Sequence, residues 1–463
     1  MEGSSYLGFA RFSSDVKQFD VTGKTLLIPS MAPFASRCLA ATFRAVGVNA
    51  RIMETYKGLN LGKEFTSGKE CFPCQVTLGD ILYTLRKEKE RLGPAFSPEN
   101  YVYFLPEADG PCRFGMYNKM QRLVLDRFED FRDIRITYVS TRNTYSAEEI
   151  MPAQASSIFR KLSYIAIIVS DILDRITWRV RPYELRPGIT DSFMEKAMQA
   201  VLIEIETQGT ALNFKRIFDL IDDVAGTAKT FIDTRQPRRP LIGIVGEIYV
   251  RTHPESNQNI VRVLEGFGGE VVVASIAEWI NYVTYDKARD LKRNVKLAWL
   301  NGDLTAFRQN LSQLTATQIE KYYQLYRQNQ GYSRALKYLD IQKDHTIGLL
   351  EKRLDNNRLY NFDIGTESGL SIGAALEQVH EGYDGVVNVY PFTCMPSAVC
   401  TAVLKPLLNK MRMPYLDAPY DGAIQPNREI ALRTFMYQAR QHLESRKAGK
   451  NRNDKAAQCH IKP

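Results

Sequence analysis

The sequence predicts an α/β protein with two Rossmann-like parallel-sheet domains, elaborated by helical segments and insertions. Three features predict it. Short apolar runs alternate with helical patterns over residues 20–145, the alternation gives way to a purely helical stretch over 146–235, and it resumes over 236–445. Strands that alternate with helices pair in parallel, because each crossover needs a helix to return the chain to the same sheet edge.

Taken in order, TLLIP at 25–29 is a short buried strand. PFASRCLAATFRAVG, from residue 33, is a helix with Pro33 in its first turn and Gly47 at its end. Residues 48–53 are a second strand. After SGKECFPC, residues 70–85 read as a helix with Ile81, Leu82 and Leu85 on one side. YVYFL at 101–105 is a strand stopped by Pro106, residues 121–128 are helical, and 134–139 return to strand. The stretches 156–175, 192–208 and 213–233 are helical, with breaks near Pro182, Pro187 and Gly188. LIGIVGEIYV opens the second unit. A helix at 257–266, a strand at 270–274, a polar helical insertion at 280–360, a helix at 373–379, a strand at 385–390 and a helix after Pro396 follow. Leu416 and a helix at 429–444 close it. The two units share a plan but no sequence repeat is visible between them.

Composition excludes several classes. The chain has 463 residues, 44% hydrophobic and 24% charged, the balance of a folded globular protein and not of a disordered or fibrous one. No apolar run approaches the ~18 residues needed to span a bilayer. MEGSSYLGFARF lacks a basic segment followed by an apolar core, so no secretory signal and a cytoplasmic location are expected. The net charge is +9, but residues 446–463 carry six cations against Asp454 alone and read as a flexible basic tail. The folded body then shows no basic face interleaved with aromatics, and a nucleic-acid partner is not expected.

Several motifs carry little. Gly23–Lys24–Thr25 resembles the end of a phosphate loop, but Gln18 stands where the first glycine belongs and the tripeptide precedes its strand. Gly243–Ile244–Val245–Gly246–Glu247 lacks dinucleotide spacing and reads as a tight turn. Gly365, Gly369 and Gly373 suit a structural turn better than a phosphate cradle. Of the five histidines, His253 is the one at a strand-end loop, where α/β proteins bind ligands, although a turn role before Pro254 explains it as well.

The cysteines are more informative. Cys38 (SRCLAAT), Cys71 and Cys74 (GKECFPCQVTLGD), Cys112 (EADGPCRFGMYN), and Cys394 and Cys400 (YPFTCMPSAVC) fall mostly in strand-end loops or first helical turns. Those positions share one edge of a parallel sheet, so distant cysteines can converge there. Helix N-termini carry partial positive charge and free N–H groups, which lower thiol pKa and hydrogen-bond sulfur. Spacing alone leaves an iron–sulfur site, buried structural cysteines, and a zinc or redox site all open. Cys459, in the tail, is not a candidate.

The run from LLIPSMAPFASRCLAATFRAVG through ECFPCQVTLGDIL to LPEADGPCRFGMYN, with PFTCMPSAVC and DAPYDG later, resembles the 2-hydroxyacyl-CoA dehydratase D-component superfamily. The branch related to acyl-CoA dehydratase activases and double-cubane cluster proteins is the nearer likeness, and it covers most of residues 20–440. The resemblance implies an iron–sulfur cluster held between the two domains. It implies Cys71, Cys74 and Cys112 as the foremost ligands, then Cys394, with Cys38 and Cys400 behind them. It also implies a separate ATP-hydrolysing iron–sulfur activase as electron donor, because this chain has no nucleotide-binding loop of its own. A homodimer, or a heterodimer with a related subunit, and an oxygen-sensitive, anaerobic chemistry follow from the same likeness. Six non-tail cysteines exceed the three per subunit of the dehydratases and slightly favour a double-cubane [8Fe–9S] cluster over a [4Fe–4S] one. The expected function is reduction of a small substrate or dehydration of a 2-hydroxyacyl-CoA. The alternative is a non-catalytic iron–sulfur scaffold or electron-transfer protein. Beside the cysteines, Arg113 is a candidate to offset cluster charge, Glu54 and Glu70 are candidate proton relays or caps, and Tyr390 and Phe392 are candidates to exclude water.

Overall fold

A computed structural model describes residues 16–108, 110–141 and 144–459 of the chain. The amino-terminal stretch MEGSSYLGFARF, and the end of the basic tail with His460, lie outside the described residues.

The first sheet contains β1 (Thr25–Ile28), β2 (Asn49–Ile52), β3 (Tyr101–Phe104) and β4 (Arg135–Thr137), in the order β2-β1-β3-β4. All its pairings are parallel, with Leu26 opposite both Ala50 and Val102. The second sheet contains β5 (Leu241–Gly246), β6 (Glu270–Val273), β7 (Gly385–Pro391) and β8 (Tyr415–Tyr420), in the order β6-β5-β7-β8. It too is parallel throughout. The two orders are the same order, so the shared plan read from the sequence is a shared topology. β3, β5 and β6 are buried along their whole length, which is why they read as unbroken apolar runs and not as alternating ones.

Around the first sheet lie α1 (Pro33–Ala45), α2 (Leu59–Glu64), α3 (Phe72–Leu92) and α4 (Tyr117–Leu125). The expected helix at 70–85 thus begins two residues later and runs seven residues further. The linking helices are α5 (Ala153–Val180), α6 (Ile189–Gln208) and α7 (Lys215–Lys229). In the second unit come α8 (Ile248–Thr252), α9 (Ile260–Gly266), α10 (Ile276–Leu300), α11 (Leu304–Ala335), α12 (Ile347–Asn357), α13 (Ser368–His380), α14 (Met395–Lys410) and α15 (Arg428–Cys459). α15 continues through the first part of the expected tail, and Arg446 pairs with buried Asp384 at 2.8 Å.

The helical link and the helical insertion form one bundle. Ile168, Ile172 and Ile176 of α5, Met198 of α6 and Phe218 of α7 share a core with Tyr332 and Ala335 of α11. Gly331 allows the close approach: a Cβ there would stand 2.7 Å from Ile172 Cδ1. Asp171 ties the bundle to the second sheet by accepting the Ile276 and Ala277 amides at the start of α10, at 3.2 and 2.9 Å.

The carboxyl ends of the two sheets face one another. Tyr249 of α8 donates its hydroxyl to the Ser30 carbonyl after β1, at 3.1 Å. Gly422, after β8, lies against Phe72 and Leu59, whose side chains a Cβ would meet at about 3 Å. In both sheets the strand order reverses at this edge, where open α/β sheets form their ligand crevice.

Candidate functional site: a cysteine seam between the two units

Three loops bring four cysteines to this seam. Cys71 is the N-cap of α3, and Cys74 follows in the first turn of that helix. Cys112 ends the loop after β3, and Cys394 ends the loop after β7 as the N-cap of α14. β3 and β7 are the equivalent third strands of the two sheets, so Cys112 and Cys394 are topological counterparts. Arg113 joins their loops: it donates to the Thr393 carbonyl at 2.8 Å and also to the Lys69 carbonyl beside the Cys71 turn.

Each loop contains a left-handed residue, and the Cys71 loop has a second at Gly68. Gly110, at φ +103°, supplies the turn before Cys112, a conformation open to glycine. Thr393 sits at φ 68° and Cys71 itself at φ 97°, where a side chain costs roughly 1–3 kcal/mol. Such conformations persist only when surrounding contacts over-determine them, and they cluster at functional sites.

The four sulfurs share an electrostatic environment. Tyr117 hydrogen-bonds Cys71. Gln121 Nε2 lies 3.7 Å from Cys74 Sγ and donates to its carbonyl at 3.2 Å. Two acidic residues, half-buried Glu247 and buried Glu367, face the group. Glu247, after β5, accepts the Tyr249 and Val250 amides at 3.0 and 2.8 Å. It disfavours ionisation of Cys71, Cys112 and Cys394, and Glu367 acts in the same direction on Cys112 and Cys394. Burial is the largest influence. It pushes Cys71 up to about 11 and Cys74 and Cys112 up to about 12, and it raises Cys394 as well. Helix-start amides do act on these thiols in the expected lowering direction, but desolvation outweighs them. By themselves these are neutral thiols near pH 7, and a cationic group must displace their protons to hold them as thiolates.

The other two candidates lie elsewhere. Cys38 is fully buried on α1, its sulfur 3.9 Å from Met198 Sδ in the helical core. Cys400 is buried in α14 with its sulfur 3.6 Å from the Ser368 carbonyl. Six helical residues turn through about 600°, which sets Cys400 about 120° from Cys394 around the helix, and Glu367 acts on its thiol too.

Of the neighbouring residues, Glu54 is paired with Lys57 and Lys87, which hold it down at about 2. Glu70 accepts the Ser67 amide at 2.9 Å. Both fill the capping and solvating roles. Phe392 is 58% exposed and so does not seal the seam, while Tyr390 is half-buried. Gly246 makes the tight turn expected of it: a Cβ there would meet the Val389 carbonyl at 2.1 Å. Gly369 and Gly373 are packing glycines against Phe362 and Leu350. Glu247 and Glu367 are additions from the structure. The available signals were an acidic residue directly after a buried strand and another directly before a helix.

His253 crosses the seam. Its Nδ1 accepts the Ser256 amide at 3.2 Å, so its proton is on Nε2, 2.9 Å from Thr55 Oγ1, which in turn donates to Asp80 at 2.7 Å. Burial pushes His253 down to about 3, and Glu255, 3.4 Å away but about half exposed, does not offset it. The folded chain therefore binds fewer protons than the unfolded chain between about pH 3 and 6.5, and stability falls as pH drops through that window. The full shift corresponds to roughly 5 kcal/mol. Asp80, raised by burial to about 7, contributes with the opposite sign as pH rises from 3.8. The His253→Gln chain should thus show a flatter acid limb in a plot of unfolding midpoint against pH from 6.5 to 4. An unchanged slope would show that another group sets it.

Among the described residues, no three His, Cys, Asp or Glu side chains form a group that could hold a metal ion. The donor chemistry of the seam, four thiols with amide and hydroxyl donors beside them, fits a polynuclear iron–sulfur group, whose cubane takes four cysteines. No helix among the described residues is long and apolar enough to cross a membrane. No family model matches the chain, and no curated protein matches it.

Proposed function

We propose that this chain is the electron-accepting, substrate-converting component of a two-component iron–sulfur system, with Cys71, Cys74, Cys112 and Cys394 as cluster ligands. The supporting observation is the seam itself: thiols from three loops, two of them topological counterparts, surround one set of buried groups. The location of Cys38 and Cys400 in other cores favours a single [4Fe–4S] cubane over the double one. When bound, such a cluster supplies one-electron transfer at low potential. The chain's own residues then have defined tasks. Tyr117 and Gln121 donate hydrogen bonds to the sulfurs of Cys71 and Cys74, which stabilises the added charge of the reduced state. Arg113 fixes the spacing between the Cys112 and Cys394 loops. Cys71, Cys74 and Cys394 are buried and Cys112 is half-buried, which limits the water that reaches the reduced site.

The electron donor is a separate ATP-hydrolysing activase, and the reaction is reduction of an unsaturated substrate or dehydration of a 2-hydroxyacyl thioester. The test is anaerobic. With such an activase and ATP, the chain's visible absorbance should bleach on reduction and recover on adding substrate. A chain that instead passes its iron and sulfide intact to an apo-ferredoxin, without ATP dependence, is a scaffold, and the proposal fails.

A further inference from the structure

A cavity of about 340 Å³ lies where the first turn of α1, the later half of α5 and the start of α6 meet α8 and the loop after β6. It is separate from the cysteine seam: none of the four seam cysteines, Glu247 or Glu367 lines it. Its lining mixes charged groups with an apolar wall that includes Phe34 of α1, Trp178 of α5, Met194 of α6 and Val261 of α9. The volume suits a small organic molecule.

The charged side chains on the lining are engaged, with one exception. Arg175 pairs with Asp344, Arg181 with Glu265 and Asp191, Arg262 with Asp191, and Glu195 with Arg37. Asp171 holds the two α10 amides, and Arg251 donates to the Gly246 and Ser275 carbonyls at 2.7 and 3.1 Å. Asp174 is the exception. Its carboxylate lines the cavity and has no hydrogen-bond or ion-pair partner among the described residues. It is half-buried, and neither of its oxygens is among the unpartnered polar atoms sealed from solvent, so a molecule in the cavity can reach them. The surrounding protein desolvates the group and pushes it up to about 7, while Arg181 and Arg175 pull it down from beyond ion-pair distance.

A carboxylate held among protein groups without a partner is a site for a cation. A bare metal ion is a poor match, because it needs several ligands and no three His, Cys, Asp or Glu side chains gather among the described residues. An anion is a poorer one, because the arginines on the lining already have partners. Trp178 stands four residues after Asp174, one turn along the same face of α5. A cation bonded to the carboxylate therefore has an indole ring within reach, the pairing that favours an organic ammonium group. We propose that this cavity binds a small organic ammonium ion with an apolar body. Its N–H donates to Asp174, and its body packs against Trp178, Phe34 and Met194.

The probe is phenethylamine, titrated calorimetrically into the full chain at about pH 8, where Asp174 is ionised and the amine is still protonated. One saturable site per chain is expected. Phenethyl alcohol, which lacks the charge, and phenylalanine, whose carboxylate finds no free cation, should each bind at least about tenfold more weakly. Asp174→Asn keeps the shape and removes the charge. It should lose about tenfold to a hundredfold in affinity for phenethylamine, with a thermal midpoint no lower than the parent's, because an unpaired charge has gone. Trp178→Leu, with the circular dichroism of the parent, should bind about threefold more weakly. Three results overturn the proposal: no saturable binding up to about 10 mM, equal binding of amine and alcohol, or undiminished binding by either variant. The site is independent of the cluster, so protein as purified anaerobically and folded protein after chelator treatment should bind alike. Binding that vanishes with the iron would place the amine at the metal and overturn the assignment to Asp174. Iron-free protein that binds the amine as described ends the cluster reading and leaves this one standing.

Discussion

Cys112→Ala should purify with its fold intact and its iron largely gone, below about a quarter of the parent's content, because a cubane deprived of one of four thiolates loses its closed ligand set. Cys71→Ala should behave alike, with one difference. Cys71 occupies a left-handed N-cap at φ 97°, so Cys71→Gly should lose iron equally but cost less stability than Cys71→Ala. Cys38→Ala is the contrast. Its sulfur packs against Met198 in the helical core, so the substitution should leave iron unchanged and cost about 1 kcal/mol of packing. Cys459→Ala should also keep its iron. Iron determined per folded chain across this set separates ligand from core cysteine, and equal retention in Cys112→Ala and Cys38→Ala would reject the ligand assignment.

The second large effect concerns the frame that presents Cys71 and Cys74. α2 and α3 cross with Gly58, before α2, and Gly79, within α3, backbone to backbone. A Cβ on Gly79 would stand 2.2 Å from the Gly58 carbonyl oxygen, and a Cβ on Gly58 would stand 2.0 Å from that of Gly79. Neither atom belongs to a flexible side chain, so the helices must separate. Gly79→Ala should cost on the order of 3 kcal/mol or more and lower the urea midpoint accordingly. Gly266→Ala, at the end of α9 with nothing within 4 Å of its Cβ, should stay within about 1 kcal/mol of the parent. Matching midpoints for the two variants would mean that the α2–α3 crossing yields without cost.

Much of the fold was legible in the sequence, for a simple reason. Buried parallel strands such as Leu241–Gly246 must be apolar on both faces, and helices that cover them must be periodic, so each element announces itself locally. The relation between elements did not. The helical link and the helical insertion read as separate additions, yet Ile172 and Tyr332 meet in one core, because helical periodicity says which face is apolar but not which helix will cover it. The equivalence of Cys112 and Cys394 was likewise hidden: it lies in strand order, and GPCRFG and FTCMPS share only the cysteine.

The candidate site was legible as a set of cysteines at strand ends and helix starts, which is a topological property. It was less legible as an environment. Helix-start amides were expected to set the thiols' acidity, whereas burial sets it, and burial of a loop is decided by the other domain. Glu247 and Glu367 escaped notice for a related reason. An acidic residue beside a strand or helix is ordinarily a solvated cap, and only the opposing sheet encloses these two.

The most direct measurement is iron and acid-labile sulfide per chain in anaerobically purified protein, with an EPR spectrum after dithionite reduction. About four irons and four sulfides, with a reduced cubane signal, are predicted from four cysteines at the seam. Colourless protein without sulfide, or with a single zinc per chain, would contradict the account, and about eight irons would contradict its assignment of Cys38 and Cys400 to separate cores.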